Sequence, residues 1–242
     1  MKGKEGFGRF YKITFFIGLG FFTMGLMDPL YDSYVPMFLR NFLSRDGFVG
    51  GLMAIDNIFA ILLIPIFSAL SDKTRTPIGR RMPYILVTLP LTAIFFGLLP
   101  WAALKSLLLL VVIIFLLNLF KQAARGPVVA LMPDIIPGRF RSEANGVINT
   151  MGGLAAIVGT VALAKLYDVN IKLPLIGSTI RSFDSGGANP GGTVSYIGFL
   201  PFLFTAFLVI LATLLLFLLV KEKKNPETQD KKVSIFTSLK FI

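Results

Sequence analysis

The sequence predicts an all-α, polytopic membrane protein with six spanning helices. Three observations carry that expectation. Of 242 residues, 55% are hydrophobic and only 15% charged, with a mean hydropathy of +0.76, whereas a soluble domain holds about 25% charged residues. Six apolar runs reach the roughly 20 residues that a helix needs to cross the hydrocarbon core. None alternates residue by residue as a lipid-facing barrel strand does, so helices are the element that satisfies the backbone in lipid. Finally, most of the 24 lysines and arginines lie in the two tails and in alternate connections between the runs.

The elements follow in order. Residues 1–12 form a basic tail with Lys2, Lys4, Arg9 and Lys12. The tail resembles a secretory leader only superficially, because the apolar run after it is too long, holds two Asp and shows no small-residue cleavage site. The spans are expected at residues 13–39, 47–70, 83–104, 107–132, 141–166 and 194–220. Gly and Pro inside them are tolerated where neighbouring helices satisfy the freed carbonyls. Between the fifth and sixth spans, residues 167–193 read as a loop rich in turn residues, Ser185 to Gly192 above all. Residues 221–242 read as a polar linker that turns apolar again from Val233, like the start of a surface-lying amphipathic helix.

Orientation follows from the basic residues. The N-terminal tail, the second-to-third loop (Lys73, Arg75, Arg80, Arg81), the fourth-to-fifth loop (Arg139, Arg141) and the C-terminal tail outweigh the opposite side. The positive-inside rule then puts both termini in the cytoplasm, as expected for a multi-pass protein of the plasma membrane. The formal charge of +11 reads as topology in this setting, and nucleic acid is not an expected partner. The chain has no Cys and no His. Disulfides, thiolate metal sites, histidine proton relays and Ser-His-Asp chemistry are thereby excluded, and no cofactor is expected.

Charged residues inside the apolar runs are the functional clue. Asp28 and Asp32 lie in the first, Asp56 in the second, and Lys121 and Arg125 in the fourth. A bare charge at a helix centre costs about 2.5–3.5 kcal/mol on the lenient insertion scale, so such residues face a bundle interior or a hydrated cavity and mark a substrate or ion path. Asp28 and Asp32 are four apart and share a helix face, with Tyr31 and Tyr34 beside them. Asn118, Lys121, Gln122 and Arg125 form one polar stripe, and Asn145 and Asn149 on the fifth span are again four apart. The expectation is that spans one, two, four and five turn these residues toward one cavity. There Asp28, Tyr31, Asp32, Asp56, Asn118, Lys121, Arg125, Asn145 and Asn149 would bind substrate or couple it to an ion. The plainer alternatives are a static buried ion pair that fixes packing and, for the two Asn, polar contacts between helices. Trp101, the sole Trp, falls at an interface where an aromatic-belt role suffices.

The most specific motif is Ser71-Asp72-Lys73-Thr74-Arg75-Thr76-Pro77-Ile78-Gly79-Arg80-Arg81-Met82-Pro83-Tyr84. It resembles the loop signature of the major facilitator superfamily, with an acidic residue ending span two and Gly-Arg-Arg opening span three. Ser68 stands where the family usually has Gly. The resemblance implies that Asp72, Arg75, Gly79, Arg80 and Arg81 form a conformational latch. A second signature runs from Arg125-Gly126-Pro127 through Ala130-Leu131-Met132-Pro133-Asp134 to Arg139 and Ala144-Asn145-Gly146. Together the two are similar to the sugar-transporting branch that comprises sucrose transporters and glycoside–pentoside–hexuronide cation symporters.

That resemblance covers the N-terminal six-helix half of such a protein. It implies a secondary active transporter that moves a small-molecule substrate, a sugar, with H⁺ or Na⁺ by alternating access. The second half is expected from a missing C-terminal segment or from another copy. Acidic residues in spans one, two and four serve the cations of this branch. Here span four offers Lys121 and Arg125 instead, so proton coupling is favoured over Na⁺. A carboxylate beside a cation stays ionised, and one left alone in an apolar site takes up a proton, which is the physical basis of such coupling. No enzyme activity is expected. Tyr31-Asp32 matches half of the aspartyl intramembrane protease signature, but the other half, Gly-x-Gly-Asp, is absent from the sequence. The alternative reading is a non-transporting receptor or assembly subunit with a degenerate site.

Overall fold

The computed structural model describes residues 7–163 and 199–222. The expected loop at 167–193, the first residues of the sixth span and the linker beyond Glu222 lie outside the described residues, as do residues 1–6. Among the described residues there are six helices long and apolar enough to cross a membrane and no strand. They are α1 (Gly8–Arg40), α2 (Asp46–Lys73), α3 (Met82–Lys105), α4 (Leu107–Ile135), α5 (Arg141–Ile157) and α6 (Phe199–Leu219). A 3₁₀ turn, Gly138–Phe140, leads into α5, and a π-helical segment, Val158–Leu163, continues it.

The helices outrun the apolar cores because their polar ends lie where water or lipid headgroups satisfy them. Ser106 marks the α3–α4 corner. It closes α3 with its backbone N–H and caps α4 by accepting a bond from the Leu109 amide at 3.3 Å, the usual role of a Ser at that position.

Packing places α1 and α4 centrally. α1 lies mainly against α5 and α6, α4 against α2 and α3, and α3 against α6. The α1–α5 contact is a close backbone approach. A Cβ at Gly25 would run into the Gly152 carbonyl, and one at Gly159 would meet the Leu26 carbonyl at 2.9 Å, so small residues bring the two helices together without a side chain between them. An aromatic cluster ties α1, α3 and α6 together. Phe202 lies 5.0 Å from Phe96, 5.6 Å from Phe38 and 5.8 Å from Tyr34, ring centre to ring centre. The two flanking helices, α2 and α5, are the least enclosed, and none of the apolar window of α2 is buried within the chain. Exposed aliphatics such as Ile61 and Leu108 give the bundle its lipid-facing surface.

Candidate substrate and coupling site

The polar stripe of α4 is split by the packing. Asn118, Lys121 and Gln122 are buried, whereas Arg125, two turns from Asn118, is exposed. Lys121 is the centre of the cluster. Its ammonium lies 2.9 Å from Asp28 Oδ1 on α1 and 3.5 Å from Asp56 Oδ2 on α2. It also stands 4.8 Å from the centre of the Tyr31 ring, within the range of a cation–π contact. The other oxygen of Asp56 accepts a hydrogen bond from Gln122 Nε2. Tyr31 Oη accepts from Asn118 Nδ2 at 2.7 Å. Three helices thus meet on one ammonium, with only 6% of the Lys121 side chain accessible against 35% for Asp28 and 22% for Asp56.

Acceptors outnumber donors here. Asp28 Oδ1 meets the ammonium at ion-pair distance but off a hydrogen-bond axis, and Asn118 Oδ1 and Gln122 Oε1 are buried without a hydrogen-bond partner in the chain. Turning either carboxamide over would leave its nitrogen unmatched instead. Buried polar groups ordinarily have partners, so these acceptors retain unused hydrogen-bonding capacity. Pro29, next to Asp28, denies the Gly25 carbonyl its helical donor, loosening α1 beside the site.

The remaining sequence-predicted residues stand apart. Asp32 is exposed and has no ion-pair partner among the described residues, although the charges of Lys121, Asp28 and Asp56 all act on it. Arg125 likewise has none among the described residues; Lys121, one turn away, holds Asp28. Asn145 and Asn149 lie on the exposed face of α5 and make no side-chain hydrogen bond among the described residues. Trp101 carries the Lys105 ammonium 5.9 Å from its ring centre at the end of α3.

A second charged cluster joins the α2–α3 loop to the ends of three helices. Gly79 has φ +116°, a conformation that favours glycine, and its amide closes a turn onto the Thr76 carbonyl at 3.1 Å. Arg80 grips Asp134 with two bonds, Nη2 to Oδ1 at 2.6 Å and Nε to Oδ2 at 3.1 Å. That bond, with the Asp134 charge, holds the Arg80 guanidinium even more firmly protonated than usual. Arg81 is buried and donates to Asp134 Oδ2 at 3.0 Å, to the Ser68 carbonyl at 3.0 Å, and to Ser71 Oγ and Asp72 Oδ1. Asp72 and Asp134 sit in the last turns of α2 and α4, where a carboxylate opposes the helix dipole. The two arginines reverse that disadvantage. Arg75 is exposed and takes no part among the described residues.

Sequence reasoning left Asp134 and Glu222 off the list of candidate residues. Glu222, just beyond α6, is 3% exposed at its side chain. Its Oε2 accepts from the amides of Arg81 at 2.9 Å and Met82 at 3.3 Å, so it caps the N-terminus of α3. The available signal was an acidic residue directly at the end of an apolar run, which a cluster of lysines in the linker obscured.

A search of curated protein sequences finds no match to the chain. A family model described as MFS/sugar transport protein matches residues 16–242, from within α1 to beyond α6. With that coverage and the six-helix bundle, the chain belongs to the MFS/sugar transport protein family, the membrane transporters of the major facilitator type.

Proposed function

We propose that this chain works as the N-terminal six-helix half of a cation-coupled sugar transporter of the sucrose transporter and glycoside–pentoside–hexuronide symporter branch. It would lie in the plasma membrane with both termini in the cytoplasm and use H⁺ as coupling ion. One observation carries the reading: a single buried ammonium, Lys121, shared by Asp28 and Asp56 from two other helices, with unmatched acceptors beside it.

The cluster would work by exchanging one arrangement for another. With Lys121 engaged, one ammonium is shared by both carboxylates. When hydroxyls of a sugar compete for Asp28, or when α1 moves away, a carboxylate loses its cation in an apolar site and is neutralised by a proton instead. Proton and sugar are then linked through one side chain. Asp32, Arg125, Asn145 and Asn149, exposed toward whatever faces the bundle, would contact substrate or a second six-helix half. The unburied length of α2 supports a partner of that kind. The Asp72–Arg81–Asp134–Arg80 network would hold the cytoplasmic side in one state.

The test is a thermal-stability screen of the purified chain over mono- and disaccharides at pH 5.5 and 7.5 (about two units apart, to span a carboxylate whose cation has left). A sugar-specific upward shift that depends on pH and disappears in Asp28→Asn is expected. A flat response across all sugars at both pH values would overturn the reading.

A further inference from the structure

α2 and α3 both lean on α4 but make no extended contact with each other. Near the loop that joins them they leave a cavity of about 420 Å³, a size within the range of ligand sites, about 300–1,000 Å³. Its floor is Leu119, Phe120 and Ala123 of α4, and its walls include Phe67 of α2 and Val87 of α3. Val87 is 57% exposed, so the cavity opens on the outside of the bundle, beside the exposed aliphatics Ile66 and Leu70.

The chemistry of the lining is not that of a sugar site. Its hydroxyls are already used: Thr74 Oγ1 and Tyr84 Oη share a hydrogen bond of 2.7 Å, and Thr88 Oγ1 donates to the Tyr84 carbonyl at 2.6 Å. What remains is an apolar slot with rigid rings. Phe120 is stacked on Phe95 at 5.7 Å, and Phe67 meets the edge of Tyr84 at 6.3 Å. A hydrocarbon chain fits such a surface.

The chain on either side of Thr74 is basic. Thr74 lines it, and its chain neighbours Lys73 and Arg75 are both exposed. Neither has a carboxylate partner among the described residues. Arg80 and Arg81, by contrast, are taken up by Asp134 and Asp72. Two cations without a counter-charge among the described residues, next to an apolar slot, complement a ligand with an anionic head and a hydrocarbon tail.

We infer that the α2–α3 crevice is a binding site for an anionic phospholipid, one acyl chain lying in the slot and the phosphate group held by Lys73 and Arg75. The lipid fills the opening between α2 and α3 beside the Thr74–Tyr84 and Phe67–Tyr84 contacts.

The experiment uses the whole chain, delipidated in detergent, titrated with phosphatidylglycerol or phosphatidylcholine of identical acyl chains. Thermal midpoint and lipid retention in native mass spectrometry are read. Phosphatidylglycerol is expected to act at roughly tenfold lower concentration than phosphatidylcholine. The double variant Lys73→Gln/Arg75→Gln, at exposed unpaired positions, is expected to abolish that preference, and Val87→Trp at the rim to abolish retention of the tightly held lipid. Equal action of the two lipids, a preference that survives the double variant, or the same stabilisation by water-soluble glycerol phosphate would each overturn the inference.

Discussion

Lys121 on α4 holds Asp28 on α1 at 2.9 Å across the middle of the bundle, and the same ammonium reaches Asp56 on α2 at 3.5 Å. One cation thereby ties together three helices, beside the Gln122–Asp56 and Asn118–Tyr31 hydrogen bonds. Removing it leaves two carboxylates facing each other, and removing one carboxylate leaves the other to pair.

The first prediction concerns that asymmetry. Lys121→Gln should destabilise the protein more than Asp28→Asn does. In the double variant the two losses should add to less than their sum, by about 1–2 kcal/mol. That figure lies below the 3–5 kcal/mol typical of breaking a fully buried pair, because Asp28 is 35% exposed. A double-mutant cycle read by detergent-phase unfolding measures the coupling. Additive losses would mean that the two side chains do not interact.

Arg125 provides the contrast. It is exposed and has no ion-pair partner among the described residues, so Arg125→Gln should leave stability within about 0.5 kcal/mol. Any loss of sugar-dependent stabilisation in this variant would therefore report a role toward the ligand.

Tyr31 and Asn118 should behave as a unit. Tyr31→Phe removes the acceptor of the 2.7 Å bond and strands the buried Asn118 carboxamide, at a cost of about 1–3 kcal/mol. Tyr31→Phe/Asn118→Leu removes both polar ends and should recover much of that loss. Unfolding midpoints of the three proteins decide the matter. A double variant less stable than Tyr31→Phe would contradict the pairing.

At the loop, Asp134→Asn should cost about 2–3 kcal/mol, since it strips Arg80 of its two-point partner and leaves the buried Arg81 with Asp72 as its remaining carboxylate. Arg75→Gln in the same loop should be close to neutral. Similar losses for the two variants would show that the network does not hold the loop.

Gly79→Ala and Glu222→Ala test the contact between the loop and the end of α6. The first places a Cβ at φ +116° against Glu222 and should cost at least about 1–3 kcal/mol. The second removes the acceptor for the Arg81 and Met82 amides and should cost about 1 kcal/mol. Thermal unfolding of both variants beside the parent gives the answer.

Membrane class and helix content were legible in the chain, and so were the polar positions within the spans. Hydropathy over 20 residues and the cost of exposing backbone to lipid are local properties. The Ser71–Tyr84 motif pointed in the same local way to the charged loop. Partner choice was not legible. Lys121 and Arg125 are one turn apart on the same helix, and nothing in their spacing says which meets a carboxylate. The answer depends on how α1 and α2 pack against α4. The same holds for Asp134, 54 residues from Arg80, and for Glu222, 141 residues from Arg81. An ion pair across such separations exists only once the helices are side by side, because Coulomb attraction in a bundle is decided by ångströms of packing, and periodicity along one helix carries no information about its neighbour.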